Sequence, residues 1–323
     1  MVFTLSSNIT EELLNIIQVN DRDQIIENYT LIGKKLNELF PTDSEPKNLY
    51  TAANHLLGRG KMLRPLLILL VNQTLGSTNI NKIIKLSMAV ELLHTASVIH
   101  DDIIDKADYR RGLPSIHKKF DTETAIVTGD LLISMAIKIT SDLDPLSIRW
   151  ISEAAINMSE GESFEIEYKN QDLNTEMYYN IIKKKTASLI ESSVASSALL
   201  SDVSNKLIDS FRTYGLNVGL GFQIRDDILD IIGKEQTLGK PVGNDIKLGR
   251  HNIVHIITKQ TYPESRNLPA QKINNYITPE IIESAQKLAL HHSNLAKTSV
   301  STFNEESKSI FESIASFIVN RNF

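Results

Sequence analysis

Apolar residues recur at three- and four-residue spacing along almost the whole chain, for instance Leu13, Leu14, Ile16 and Ile17, then Ile25, Ile26, Tyr29, Ile32, Leu36 and Leu39. That spacing lines one face of a helix of 3.6 residues per turn, and it nowhere switches to the two-residue alternation of a strand. The pattern predicts a succession of helices, broken at 40–46, 58–60, 76–79, 111–114, 142–145, 169–174, 201–205, 233–249 and 262–277, where Gly, Pro, Asn and Asp gather. Only the last two breaks are long enough to be extended loops, and neither has the composition of a flexible interdomain linker. No second core is announced, so the expectation is one all-α domain over residues 1–323. The stretch 79–105 stands out because Met88, Ala89, Val90, Leu92, Leu93, Ala96, Val98 and Ile99 cover several faces of a single helix. Such a helix must be buried on most sides, and yet it ends in acids.

Composition agrees with the pattern. Fourteen glycines and nine prolines are few for 323 residues, well under the usual share of roughly 12%, which argues against an all-β fold built on tight turns. Thirty-four basic against 39 acidic residues give a net charge of -5, so no general positive field is available for a nucleic-acid backbone, and no nucleic-acid partner is expected. The absence of cysteine removes disulfides, thiolate catalysis and thiolate-ligated metals, and fits the reducing cytoplasm. The start, MVFTLSSNITEELL, lacks the features of a signal peptide. The longest uninterrupted apolar run is Leu66 to Val71, far short of the ~20 residues that cross a bilayer, so no membrane span is expected.

At the end of the buried helix stands His100-Asp101-Asp102-Ile103-Ile104-Asp105, with Asp101 and Asp105 one turn apart on one face and Asp102 beside them. Two carboxylates ~6 Å apart repel by roughly 2 to 3 kcal/mol at an effective dielectric near 20, so three at an apolar helix end must shift their pKa values or recruit cations. Oxygen donors without cysteine favour magnesium, or manganese, over zinc, and magnesium brings phosphate oxygens into its shell. The pattern recurs as Gln223-Ile224-Arg225-Asp226-Asp227-Ile228-Leu229-Asp230, after the apolar, small-residue run Val218-Gly219-Leu220-Gly221-Phe222. Two such motifs facing each other across a helical bundle would make a pocket with an acidic rim and an apolar floor, suited to a metal-bound diphosphate joined to a hydrocarbon. Such a ligand also needs cations for the phosphate oxygens that metals do not reach. Candidates are Lys61 and Arg64 in Gly60-Lys61-Met62-Leu63-Arg64-Pro65, Arg110 and Arg111 before Gly112, Lys185 beside Thr186, and Lys240.

The ordered set GKxxRP, ELLHTASxIHDDxxD, RRGxP, TGD, KTA, FQxxDDILD and GKPxGND, spread over residues 55–250, resembles the trans-prenyltransferases, the all-trans polyprenyl diphosphate synthases. The resemblance implies an isoprenoid-synthase-type helical bundle around a deep central cavity. It also implies head-to-tail (1'-4) condensation, in which an allylic diphosphate loses diphosphate and the cation alkylates isopentenyl diphosphate. Asp101, Asp102, Asp105, Asp226, Asp227 and Asp230 match the two aspartate-rich motifs, which together would hold about three magnesium ions. Lys61, Arg64, His94 and Arg111 resemble the isopentenyl diphosphate pocket. Arg110, Lys185 and Lys240 resemble the groups that clamp the departing diphosphate, and Thr186 and Gln223 match positions whose oxygens can face the developing cation. His94 lies seven residues before Asp101, two turns down nearly the same face.

Ala96 and Ser97 precede Asp101 by five and four residues, where a growing hydrocarbon must pass. Short-chain members of the family resemble this region but carry an aromatic plug there, so two small residues imply a product longer than farnesyl, of medium to long chain. Departures from the family's GGKRxRP are Arg59 for a Gly and Met62 for an Arg. Gly249-Arg250-His251-Asn252-Ile253-Val254 stands where GK-x-TLP is commoner, so Arg250 can replace a Lys near the diphosphate. A terpene cyclase would carry Asn, Ser and Glu in its second motif, and an HD-type phosphohydrolase, suggested by His100-Asp101 with His94 or His55, leaves the doubled acidic motif unexplained. Long apolar helices suit a homodimer. Some family members work only as heterodimers, so a partner-dependent subunit is the remaining alternative.

Overall fold

The computed structural model describes residues 13, 22–169, 171–233, 249–266 and 268–322. Among the described residues the chain is helical nearly throughout, and strands are confined to the antiparallel pair β1 (Tyr109–Arg110) and β2 (Leu113–Pro114). The all-α fold expected from the periodicity is what forms. The helices gather into two compact units, one made of Met1–Ser152 with Ser193–Ile208, the other of Glu153–Ser192 with Asp209–Phe323.

The first unit contains α1 (Arg22–Glu38), α2 (Lys47–Leu56), α3 (Leu63–Thr74), α4 (Ile80–Ile104), the β1–β2 hairpin, α5 (Ile116–Lys119), α6 (Thr122–Thr140) and the start of α7 (Pro145–Glu167). Helix α4 is its centre, packing along α6 and against α3 and α1. Burial on most sides, read from its sequence, is observed: Met88, Ala89, Val90, Leu92, Leu93, Ala96 and Ile99 are buried, as is Leu86, while Val98 keeps partial exposure. By length and composition α4 could cross a bilayer, but 72% of its most apolar window is already buried inside the fold, as expected of a core helix. Helix α6 starts where the Asp121 side chain accepts the Thr124 amide at 2.6 Å, satisfying one of the first-turn donors that a helix leaves open.

The second unit holds α7 from Glu153, α8 (Thr175–Ile182), a single π-helical turn at Lys183–Ala187, the first part of α9 (Ser188–Leu199), α10 (Asn205–Ile232) from Asp209, α11 (Ile253–Thr261), α12 (Ala270–Ile273), α13 (Pro279–Ser299) and α14 (Glu305–Asn320). Phe211, Tyr214, Phe303 and Phe311 form its aromatic core at centroid separations of 5.1–6.1 Å. The buried Tyr214 hydroxyl donates to the Phe311 carbonyl at 2.9 Å, as a buried phenol must.

Some boundaries differ from the periodicity reading. The stretch 262–277, read as a loop, contains α12 between two 3-10 turns at Pro263–Ser265 and Asn274–Tyr276. Elements of three or four residues show no repeating face, so periodicity cannot register them. Between α13 and α14 the chain turns at 300–304 without Gly or Pro; Asn304 restarts the helix by accepting the Ser307 amide at 2.9 Å.

Candidate active site

In the first unit the acidic motif occupies the last turn of α4, and its three carboxylates differ. Asp101 and Asp105 keep partial exposure, whereas Asp102 is 1% exposed. The hairpin that follows turns back on the helix end, and Arg110 donates its Nε to Asp102 Oδ1 at 2.8 Å, with Nη2 2.5 Å from the same oxygen. Burial raises the Asp102 pKa, and the Arg110 hydrogen bond and charge oppose it. Asp102 Oδ2 has no hydrogen-bond partner among the described residues. An all-oxygen donor set with two partly exposed carboxylates one turn apart fits a hard divalent ion that completes its shell with water and phosphate.

Beside this acidic end the same unit gathers cations. Arg64 sits in the first turn of α3, whose preceding residue, Met62, is buried at a φ of 39°. That left-handed position is the one where the departure from the family pattern placed Met. Lys61 is exposed, and its carbonyl accepts the Tyr29 hydroxyl at 3.1 Å. Arg111, at a φ of 54° with Gly112 at 73° after it, folds its guanidinium over Gly60: a Cβ there would stand 2.6 Å from Arg111 Cζ. A side chain at position 60 would therefore have to displace the Arg111 guanidinium. His94, part-buried on α4, has its pKa pushed well below the ordinary histidine value by burial first, then by Arg64, Arg111 and Arg110. It is a neutral imidazole near three guanidiniums, of which Arg110 already meets Asp102 and Arg111 faces Glu91. Arg64, His94, Arg110 and Arg111, named from sequence, are thus brought together.

In the second unit a cavity of about 80 Å³ is lined by Glu165, Tyr178, Lys185, Thr186, Gln223, Asp227, Arg250 and His251. Lys185 and Thr186 ride on the π-turn, where one extra residue bulges out of the helix and re-aims its side chains. The Thr186 hydroxyl donates to Gln223 Oε1 at 2.9 Å, and Gln223 Nε2 donates to Asp227 Oδ1 at 3.0 Å. A carboxylate accepts only, so Asp227 turns the Gln223 amide nitrogen toward itself and leaves the carbonyl for Thr186. Asp227, 2% exposed, also accepts the Tyr178 hydroxyl at 2.8 Å and the Ile253 amide at 3.0 Å. Asp226 keeps partial exposure and lies 2.6 Å from Arg321 Nη2, while Asp230 is fully buried.

Sequence reading missed several of these partners. Lys185 is held by ion pairs to both Glu162 and Glu165, and Arg250 Nε lies 3.6 Å from Glu165. Burial pushes the Glu165 pKa up, but Lys185 and Arg250 win and hold it below the ordinary value. Arg321 stacks on Phe222 at 4.3 Å, and its carbonyl accepts Arg225 Nε at 2.7 Å. Lys240 lies outside the described residues. Ala96 is 1% exposed in the core, whereas Ser97 keeps some accessible surface and donates its hydroxyl to the His94 carbonyl at 2.9 Å.

The family model for polyprenyl synthetase matches residues 46–288. A short chain isoprenyl diphosphate synthase of Methanocaldococcus jannaschii is 33% identical over 90% of this chain and 94% of its own. A geranylfarnesyl diphosphate synthase of Aeropyrum pernix is 31% identical over 85% of this chain and 95% of its own. The solved geranylgeranyl pyrophosphate synthetase of Pyrococcus horikoshii superposes with a TM-score of 0.82 at 29% identity, covering 96% of this chain and 99% of that one. The chain belongs to the polyprenyl synthetase family, and is thereby a prenyltransferase.

Proposed function

We propose that this prenyltransferase condenses isopentenyl diphosphate head to tail with an allylic diphosphate and releases an all-trans product longer than farnesyl. The observation that carries the reading is the cluster of Arg64, Arg110 and Arg111 around a neutral His94, next to the half-exposed pair Asp101 and Asp105. It combines an anion pocket with carboxylates suited to magnesium. Relatives named for geranylgeranyl and geranylfarnesyl products support the product class.

In this reading Arg64, Arg111, Lys61 and His94 bind isopentenyl diphosphate, planar guanidiniums meeting phosphate oxygens two at a time. Asp101, Asp105 and Asp226, the partly exposed carboxylates of the two motifs, would hold magnesium, about three ions in all, and the metal would supply the charge that lets the allylic diphosphate leave. Asp102 and Asp227 act at one remove, by orienting Arg110 and Gln223. Lys185 and Arg250, tethered by Glu165, are the second unit's cations for the departing diphosphate, and Arg110, paired with Asp102, is the first unit's. As the allylic C–O bond breaks, the oxygens of Thr186 and Gln223 offer fixed dipoles to the cation. The isopentenyl double bond then attacks it, and the leaving diphosphate takes the proton that restores the alkene. No nucleophilic side chain is needed. We place the protein in the cytoplasm as a homodimer.

The test is incubation of the purified chain with magnesium, labelled isopentenyl diphosphate and farnesyl or geranylgeranyl diphosphate, followed by chain-length analysis. A ladder extending beyond the primer is expected, and no incorporation with either primer would overturn the reading. The product ceiling has its own test at Ser97. Enlarging Ala96, packed at 1% exposure, would cost about 1 to 3 kcal/mol in overpacking, whereas Ser97 has accessible space beside it. Ser97→Phe is therefore expected to shorten the longest product by at least one isoprene unit, and a product distribution matching wild type would refute its place beside the chain.

A further inference from the structure

Glu91 opens the run Glu91-Leu92-Leu93-His94, and the reading above gives it no part. It lies on α4 at 1% exposure, and Oε1 has no hydrogen-bond partner among the described residues. A carboxylate so placed is costly unless charge compensates it. Burial pushes the Glu91 pKa up, and Arg111, whose Nη2 lies 3.9 Å from Glu91 Oε1, opposes it, with Arg64 the second cation acting on it. Elsewhere the Arg111 guanidinium donates Nη1 to the Leu56 carbonyl at 2.9 Å and lies over Gly60, with the more distant Asp102 charge also acting on it. Glu91 is thus the acidic side chain that fixes the end of Arg111. It also offsets the mutual repulsion of guanidiniums crowded around His94, before any anion arrives.

Resting on the assignment of this cluster to isopentenyl diphosphate, we propose that Glu91 is a positioning residue that presets the Arg111 guanidinium for the diphosphate group. Glu91 itself touches no substrate. Its carboxylate is nearly inaccessible and acts through Arg111, in the same way that Asp102 acts through Arg110.

Glu91→Gln keeps the shape and removes the charge. With magnesium and saturating allylic primer, the KM for isopentenyl diphosphate is expected to rise on the order of tenfold, as small misplacements of a binding group do. The value of kcat should fall by less than about threefold and the KM for the primer should hold, because the transition-state groups of the second unit are untouched. Arg111→Ala combined with Glu91→Gln should bind isopentenyl diphosphate no worse than Arg111→Ala alone, the non-additivity of residues acting through one contact. An unchanged KM, a loss falling equally on both substrates, or additivity with Arg111→Ala would each overturn the proposal. If Glu91→Gln does not melt cooperatively, Glu91→Asp replaces it, with the charge kept and the reach shortened; a smaller rise confined to the same KM is then expected, and an unchanged KM again overturns the proposal. Wild-type protein that incorporates no isopentenyl diphosphate would instead overturn the functional reading, and this proposal with it.

Discussion

Asp101→Asn is expected to lower kcat by about a thousandfold, at the upper end of what removing one preorganised electrostatic group from an active site costs, while leaving the fold intact. Asp101 is half-exposed at the end of a helix already crowded with acids, so losing one negative charge there should change stability by no more than about 0.5 kcal/mol. Asp102→Asn is the contrast. Its carboxylate is 1% exposed and takes two contacts from Arg110, so its loss leaves a cation without its counter-charge. Full disruption of a buried pair costs about 3 to 5 kcal/mol, reduced here because the Arg110 side chain is itself 36% exposed. The adjacent substitutions should therefore separate: Asp101→Asn silent in a thermal melt and severe in kcat at saturating magnesium, Asp102→Asn visible in both. Asp101→Asn activity within tenfold of wild type would remove Asp101 from the metal-binding set.

That separation shows what could and could not be read in advance. The helical fold class follows from a periodicity that never changes, and α4 announced itself because a run apolar on several faces has nowhere to go except a core. Both acidic motifs and their neighbouring cations were legible because their spacing is local. The distinct environments of Asp101 and Asp102 were not, since they depend on a hairpin that brings Arg110 back over the helix end through left-handed turns at Arg111 and Gly112. Contacts between elements were further out of reach. Glu165 meets Lys185 across 20 residues and Arg321 meets Asp226 across 95, and no periodic signal connects positions so far apart. The turn at 300–304 was hidden for another reason, because a helix that stops at an Asn cap leaves no Gly or Pro to mark it.

The π-turn that carries Lys185 and Thr186 is the most exacting packing in the second unit, and it leads to the other large effect. A Cβ on Gly161 would lie 2.6 Å from the Lys185 backbone nitrogen and 2.9 Å from its Cα. On the opposite side, a Cβ on Gly219 would lie 2.6 Å from the Ala187 Cα and 2.8 Å from its Cβ. The turn is thus seated between two glycines, one on α7 and one on α10. Replacing a helical Gly with Ala ordinarily gains about 1 kcal/mol. Here the atoms in the way are mainly backbone and cannot swing aside, so overpacking of about 1 to 3 kcal/mol or more opposes that gain and should exceed it. Gly161→Ala and Gly219→Ala are each expected to lower Tm, by about 2 to 4 °C per kcal/mol for a chain of this size or a little smaller. Each should also lower kcat by at least a hundredfold, because a 1 Å displacement of the turn carries Lys185 away from Glu162 and Glu165 and Thr186 away from Gln223. Isopentenyl diphosphate binding, assigned to side chains of the first unit, should survive in both variants. A calorimetric titration of each variant with isopentenyl diphosphate, set beside its kcat, checks this division of labour. Retained turnover in either alanine variant would mean that the π-turn accommodates the extra methyl without moving the groups it carries.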